Sequence, residues 1–446
     1  MTTNEESAAS TSNGPSVEAA RARLKAGRWY QLIFGVVCMV MIANLQYGWT
    51  LFVTPIGKAH GWKLEDIQWA FTAFVAAETW LVPIEGYLVD HFGPRLVVIV
   101  GGVLTAVGWA INSQADSLTM LYVGQIVTGI GAGAVYGTCV GNALKWFPER
   151  RGLAAGITAA GFGAGSAATV IPITSMIESS GYASTFLYFG IGQGVIILIV
   201  GFLLAQPDAN AVAALPKPKA QLVERKQFQW KEMLQTPVFW LMYIMFVLMA
   251  AGGLFAVANL KQAAAGFGVD KQIVTFMWWS PTAITFALFL DRIMNGITRP
   301  FFGWVSDRLG RENTMFIAFA TEAIGVVMLA EFGSNPVAFV ILSGLVFFGW
   351  GEIYSLFPST SADTYGWKFA SGNAGLLYTA KGTAVFLVPY LSRLASSSGG
   401  WRTSFMIAAG MAAAAAIMSL GLLKPLRRRM LANLPPTVPT AKVVSG

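Results

Sequence analysis

Apolar residues run along this chain in blocks broken by short polar connections, and the blocks recur from near residue 29 almost to the end. Each is long enough to cross roughly 30 Å of bilayer hydrocarbon as a helix, which takes about 20 residues. A β-barrel would instead give short segments of alternating hydrophobicity. About twelve blocks can be counted, beginning near Trp29, Asp66, Leu96, Leu118, Leu153, Ala183, Pro237, Ile273, Met315, Val337, Ala370 and Ser404. The block from Ile273 to Val305 is long enough to include an outer flank. The pattern predicts an all-α polytopic membrane protein, with the lipid bilayer as its first partner.

Composition agrees. Of 446 residues, 55% are hydrophobic and 12% charged, with a mean hydropathy of +0.58, too little polar surface for a soluble protein of this size. The net charge of +8 is mostly a topology signal. Arg21, Arg23, Lys25 and Arg28 precede the first block. Alternate connections then carry Arg95; Lys145, Arg150 and Arg151; Lys217 to Lys231; Arg308 and Arg311; and Lys368, before Arg427, Arg428 and Arg429 in the tail. By the positive-inside rule both termini face the cytoplasm, in a plasma (inner) membrane protein. A nucleic-acid reading needs a basic soluble domain, which is absent. Cys38 and Cys139 both fall in apolar blocks and read as packing residues. Residues 1–28, rich in Ser, Thr, Ala and Asn, read as a disordered cytoplasmic lead without the apolar core of a signal peptide.

The chain repeats itself. Gly86-Tyr-Leu-Val-Asp90-His-Phe-Gly93-Pro-Arg95 follows the second block, and Gly303-Trp-Val-Ser-Asp307-Arg-Leu-Gly310-Arg311 follows the eighth, 217 positions on. Pro83 and Pro300 share that offset, and Tyr136 on the fourth block corresponds to Tyr354 on the tenth. Two six-helix bundles are expected, at 29–205 and 237–424, joined by a cytoplasmic linker at 206–236 and followed by a tail at 425–446. Gly allows close helix approach, Asp can accept hydrogen bonds from a helix N-terminus, and Arg can pair across a bundle, so each loop reads as a conformational latch. These loops resemble the signature of the major facilitator superfamily, Gly-x-x-x-Asp-x-x-Gly-x-Arg between helices two and three. The resemblance implies two pseudo-symmetric halves that rock about a central cavity near the membrane midplane.

Two cations lie deep inside apolar blocks: Arg299 on the eighth and Lys381 on the eleventh, where the other half has Val82 and Phe162. A cation at helix centre costs about 2.5–3.5 kcal/mol on insertion scales, so it persists where it faces a wet cavity and finds a partner. In the bland reading both are paired with acids and hold helices together. In the functional one, arginine supplies a planar fork for a carboxylate and lysine a point charge, and together they suit a small dianion. Two uncompensated like charges also resist closure of an empty carrier, which favours obligatory exchange. Gln46, Tyr47, Tyr136, Trp350, Tyr354 and Tyr378 add rings and hydrogen-bond donors suited to shaping a small cavity.

The segments Gln46-Tyr-Gly-Trp-Thr-Leu, Trp146-Phe-Pro-Glu-Arg-Arg-Gly-Leu-Ala, Thr158-Ala-Ala-Gly-Phe-Gly, Arg299-Pro-Phe-Phe-Gly and Leu356-Phe-Pro-Ser-Thr look like the oxalate:formate antiporter family. That resemblance implies oxalate moving in for formate moving out, with Arg299 and Lys381 as the cation pair and Tyr47, Tyr136, Trp350, Tyr354 and Tyr378 lining the substrate. Three positions depart from the family. Phe162 stands where a tyrosine is expected, Glu78 where an amide is expected, and Glu352 where a glycine is expected. The two acids can neutralise the cations, carry a coupled proton, or serve as structural partners. Asp291 and Arg292 are adjacent on the eighth block, and Arg292 is two turns before Arg299. They read either as an outward extension of an anion path or as a self-neutralised interfacial pair. Glu322 and Glu331 read as structural or interfacial.

Other signals weigh little. Gly129-x-Gly131-x-Gly133 and Gly161-x-Gly163-x-Gly165 neither follow strands nor open βαβ units, and small residues at this spacing are what crossing membrane helices use. His60 and His91 have no second ligand at metal-binding spacing, so neither a metal nor a cofactor is expected. The sequence carries no phosphate loop and no Gly-x-Ser-x-Gly elbow, which leaves ATP-driven transport and hydrolysis without machinery. An enzyme or a non-transporting sensor would need converging catalytic groups or an output domain. The expected function is secondary transport of small carboxylates by a monomer; the rival within transport is a proton-coupled monocarboxylate symporter using Glu78 or Glu352.

Overall fold

The computed structural model describes residues 15–147, 151–207, 226–366, 369–397 and 400–434. Helices dominate: α1 (Pro15–Tyr47), α2 (Trp49–His60), α3 (Leu64–Trp80), α4 (Val82–Ser113), α5 (Leu118–Trp146), α6 (Arg151–Gly165) and α7 (Ala167–Leu203) in the first half. A short α8 (Trp230–Leu234) leads into α9 (Pro237–Gly266), α10 (Ala283–Leu309), α11 (Arg311–Phe332), α12 (Pro336–Trp350), α13 (Ile353–Tyr365), α14 (Ala370–Ala384), α15 (Leu387–Ser397), α16 (Gly400–Met418) and α17 (Lys424–Ala432). Among the described residues, β-structure is limited to isolated bridges that pair Ile273 with Thr282 and Phe276 with Trp279.

Among the described residues, nine stretches are long and apolar enough to span a membrane. One of them, Leu153–Leu203, turns back at Gly181 (φ 81°) and holds two passes. Helix α10, and α14 with α15, carry the buried ionisable residues that lower their hydropathy, and they complete twelve passes among the described residues. The repeated loops are marked by the same backbone: Gly93 (φ 79°, ψ 166°) and Gly310 (φ 85°, ψ 154°) both sit in a left-handed region that favours glycine.

Two boundaries differ from the hydropathy reading. Helix α1 begins at Pro15, so the last part of the segment expected to be disordered is helical, while residues 1–14 lie outside the described residues. The eighth pass begins at Ala283, not near Ile273, because Pro281 and the bridged turn before it cannot continue a helix. Part of the expected linker, residues 208–225, and the last part of the tail, 435–446, also lie outside the described residues.

Several passes are broken part-way: at Gly48 between α1 and α2, at Leu81 between α3 and α4, at Ser166 between α6 and α7, at Gly351 and Glu352 between α12 and α13, and at Val385 and Phe386 between α14 and α15. Interrupted helices at membrane depth are tolerated where they are buried in protein or line a cavity. The halves meet where α3 packs on α14 and α15, α2 on α9, and α6 and α7 on α10. Small residues make the last contact close: a Cβ on Gly163 would lie 3.2 Å from Asn295 O, and one on Gly296 would lie 2.8 Å from the Ala164 methyl. Gly161 and Gly165 face α1 instead, and Gly129, Gly131 and Gly133 pack on α3 and α4.

Candidate substrate site

The breaks gather the chemistry. Gln46 and Tyr47 precede the first, Glu78 the second, Phe162 the third and Lys381 the fifth, while Trp350 and Tyr354 flank the fourth. Arg299 lies on α10 beside Pro300, and Tyr136 on α5. These residues converge between the two halves. Their rings form one continuous chain, Tyr47–Phe162–Tyr136–Tyr378–Tyr354–Trp350, with successive centroids 5.2, 5.2, 5.7, 5.9 and 5.4 Å apart.

Both cations reach this chain. The Arg299 guanidinium lies 4.8 Å from the Tyr354 centroid, and Lys381 Nζ lies 5.8 Å from the same ring, 5.4 Å from Tyr378 and 5.6 Å from Phe162. Arg299 is 2% exposed and Lys381 fully buried, so neither points at lipid. Arg299 Nη1 donates to the carbonyl of Ala159 across the half-to-half boundary (2.8 Å) and makes no ion pair among the described residues. Lys381 Nζ donates to Gln46 Oε1 (2.7 Å), to Glu78 Oε2 (2.9 Å) and to Tyr378 Oη (3.3 Å). The two charges are therefore not equivalent, because the lysine has an internal counter-ion and the arginine has only a carbonyl. The expectation of two uncompensated cations holds for Arg299 alone.

Several buried polar atoms here have no hydrogen-bond partner among the described residues: Gln46 Nε2, Tyr47 Oη, Tyr354 Oη, Arg299 Nε and Glu78 Oε1. Four can donate, and such unsatisfied groups are rare in protein interiors. Tyr136, Tyr354 and Tyr378 keep partial solvent exposure, whereas Tyr47 and Phe162 are buried. Trp350 is turned away: its indole rests on α9 at Gly253 and backs Tyr354.

Such a box can enclose a small anion, and comparison with known proteins says which fold builds it. The sequence profile of the Major Facilitator Superfamily matches residues 32–294 and 266–444. The chain belongs to that superfamily. Within it, the chain is 34% identical over 387 residues to the oxalate:formate antiporter of Oxalobacter formigenes, covering 86% of this chain and 89% of the relative, and it falls in the oxalate:formate antiporter family. It is 25% identical to a probable sulfoacetate transporter of Cupriavidus necator (87% of this chain, 93% of the relative). With monocarboxylate transporter 12 of Homo sapiens it shares 22% (77% and 72%). A solved peptide transporter, POT, in complex with alafosfalin superimposes with a TM-score of 0.68 at 13% identity, covering 90% of this chain and 95% of that one, a likeness of fold. The chain is thus a major facilitator transporter and not an enzyme.

The remaining sequence candidates are placed as follows. Glu352 is fully buried at the break beside Trp350, and neither of its oxygens has a hydrogen-bond partner among the described residues; it pairs with neither cation. Arg292 and Asp291 are fully buried, which removes the reading of an interfacial self-neutralised pair. The Arg292 guanidinium is sandwiched between the rings of Tyr47 and Phe347, 4.6 Å from each centroid, and its three nitrogens have no partner among the described residues. Of the latch loops, Arg95 Nε donates to the carbonyl of Leu204 (3.3 Å), Arg311 pairs with Asp307 and Asp363 (2.8 Å each), and Arg311 also donates to Ser306. Gly303 lies on α10, the side chain of Asp90 falls outside the described residues, and Gly86 lies on α4. Glu331 pairs with Arg402 (2.5 Å) near the surface, and Glu322 is buried against Gly349.

Sequence reasoning missed Glu85, buried, with no hydrogen-bond partner for either oxygen among the described residues, and set against Gly133 and Gly137 of α5. It stands seven positions after Glu78, two helical turns on, and that spacing was its signal. It also missed a polar seam between the halves on the face opposite the termini. There Thr50 Oγ1 donates to Gln262 Oε1 (3.0 Å), and Gln68 Nε2 donates to Asn259 Oδ1 and to the carbonyl of Ala258 (3.0 Å each). Neutral amides and hydroxyls in a membrane helix carry no charge anomaly to draw attention.

Proposed function

We propose that this protein exchanges small carboxylate anions across the membrane by alternating access, oxalate inward for formate outward, with both termini in the cytoplasm. The observation that carries this reading is a pair of buried cations from the second half facing an aromatic box completed by the first half, with unsatisfied donors around them. Arg299 would take a carboxylate through its fork and Lys381 a second carboxylate as a point charge. Gln46 and the hydroxyls of Tyr47, Tyr354 and Tyr378 would orient the oxygens. Phe162 and Tyr136 would wall the box, with Trp350 behind it. The likeness to the Oxalobacter formigenes antiporter supports the same substrates. The basic residues on alternate connections support the orientation.

One observation favours a second reading. Glu78 already neutralises Lys381, so the closed site carries a single uncompensated cation, which suits a proton-coupled monocarboxylate symporter. Labelled oxalate uptake into proteoliposomes separates the two. Uptake that requires oxalate or formate inside supports exchange; uptake into empty vesicles driven by external acid supports symport and overturns exchange.

A further inference from the structure

The bridge between Glu78 and Lys381 joins the two halves of the molecule inside the substrate box, with both side chains buried. Arg299, Lys381 and Glu78 together leave the box with one net positive charge when all are ionised. A monoanion balances that charge at Arg299 with the bridge intact. A dianion needs both cations and must take Lys381 away from Glu78.

Among the described residues, no cation other than Lys381 pairs with Glu78, and the buried Arg292 is stacked on the Tyr47 ring without a hydrogen bond to Glu78. From α4 the displaced carboxylate faces Glu85, another buried acid, and from α1 and α5 it faces Tyr47 and Tyr136. From α14 it faces Tyr378 and Lys381, and from α13, Tyr354; Arg299 of α10 is the other cation of the box, claimed by the dianion itself. Helices α15 and α2, also packed on α3, hold their charged groups at its far end, where Arg393 pairs with Glu65 (3.4 Å) and His60 bonds Tyr182 (2.7 Å). A carboxylate without a cation in a low-dielectric enclosure is held as the neutral acid.

We propose that Glu78 is a proton-linked counter-ion: an oxalate dianion that takes Lys381 enters the site with one proton from the same solution, which Glu78 carries, whereas formate binds with the bridge intact and no proton. The inference rests on the substrates proposed above. Oxalate with its proton and formate then each carry one net negative charge, and their exchange moves no net charge. Without the proton, each turnover would carry one negative charge inward.

The test uses the full-length protein in proteoliposomes, with the potential set by potassium and valinomycin, and oxalate and formate both measured on each side at steady state. In the wild type, the oxalate gradient sustained per formate gradient should ignore the potential and rise tenfold for each unit of outside-acid pH difference. Whatever exchange Glu78→Gln retains should lose the pH effect and shift tenfold for each ~59 mV. A wild type that follows the potential and ignores the pH gradient overturns the inference whatever the variant does, so an inactive variant leaves the test standing. A wild type with no oxalate–formate counterflow overturns the substrate reading first, a result distinct from exchange of the wrong electrical character.

Discussion

At the scale of single residues, the two cations are set apart by their partners. Lys381 is held by a carboxylate, an amide and a phenol, while Arg299 is held by one carbonyl and the face of a ring. Either charge would be needed to hold a dianion, so Arg299→Gln and Lys381→Gln should each abolish oxalate counterflow while membrane insertion persists. Their effects on stability should differ. Removing Lys381 leaves Glu78 buried without its cation, a loss of about 3–5 kcal/mol in comparable buried pairs. Arg299→Gln leaves no buried acid without its ion-pair partner among the described residues. Thermal unfolding in detergent should therefore show a large drop for Lys381→Gln and a small one for Arg299→Gln. Equal drops would mean that Arg299 has a structural partner of its own.

At the scale of elements, helix breaks and close crossings decide which residues meet. Gly382 follows Lys381 on α14, and a Cβ there would lie 2.7 Å from the Trp80 indole and closer still to Thr79 of α3. That absence of a side chain lets α14 lie against α3 and brings Lys381 to Glu78. Gly382→Ala should push the helices apart, weaken the bridge and slow exchange by an order of magnitude or more; the same rate as wild type in counterflow would show that the crossing has slack. Here the limits of sequence reasoning are physical. The repeated loops, the length of the apolar blocks and the isolated cations are one-dimensional signals, and they announce the repeat, the passes and the two cations, whereas Phe162 and Glu78 entered as site residues only through the resemblance to the oxalate:formate antiporter family. That Glu78 and not Glu352 meets a cation depends on which face each break presents: Pro83 and Gly165 mark where the chain can break, but not how each pair of half-helices is turned. The sequence left Arg292 between an anion path and an interfacial pair with Asp291, because its partners are the rings of Tyr47 on α1 and Phe347 on α12, far away in sequence.

At the scale of the whole molecule, the alternating access proposed above would need the seam opposite the termini to open. Lys261 N donates to Thr50 Oγ1 (2.9 Å), Gln262 Nε2 donates to the carbonyl of Thr50 (3.0 Å) and to Thr54 Oγ1 (3.2 Å), and Thr72 Oγ1 donates to the carbonyl of Val385 (3.2 Å). With the Gln68 contacts, these bonds tie α2 and α3 of the first half to α9 and the α14–α15 break of the second. Each is a neutral bond, and exchanging such bonds with water costs little, about 0.5–1.5 kcal/mol apiece. A seam built this way can close firmly and still open within a transport cycle, where a row of buried ion pairs could not. A covalent bond at the same place should abolish the cycle. In a background with Cys38 and Cys139 replaced by Ala, Thr50→Cys with Gln262→Cys, bridged by a short thiol cross-linker, should cut oxalate counterflow at least tenfold. A reducible linker should restore it on reduction, and neither single cysteine should respond. Undiminished counterflow in the fully cross-linked protein would mean that the halves need not part at this face, and substrate would have to reach Arg299 by another path.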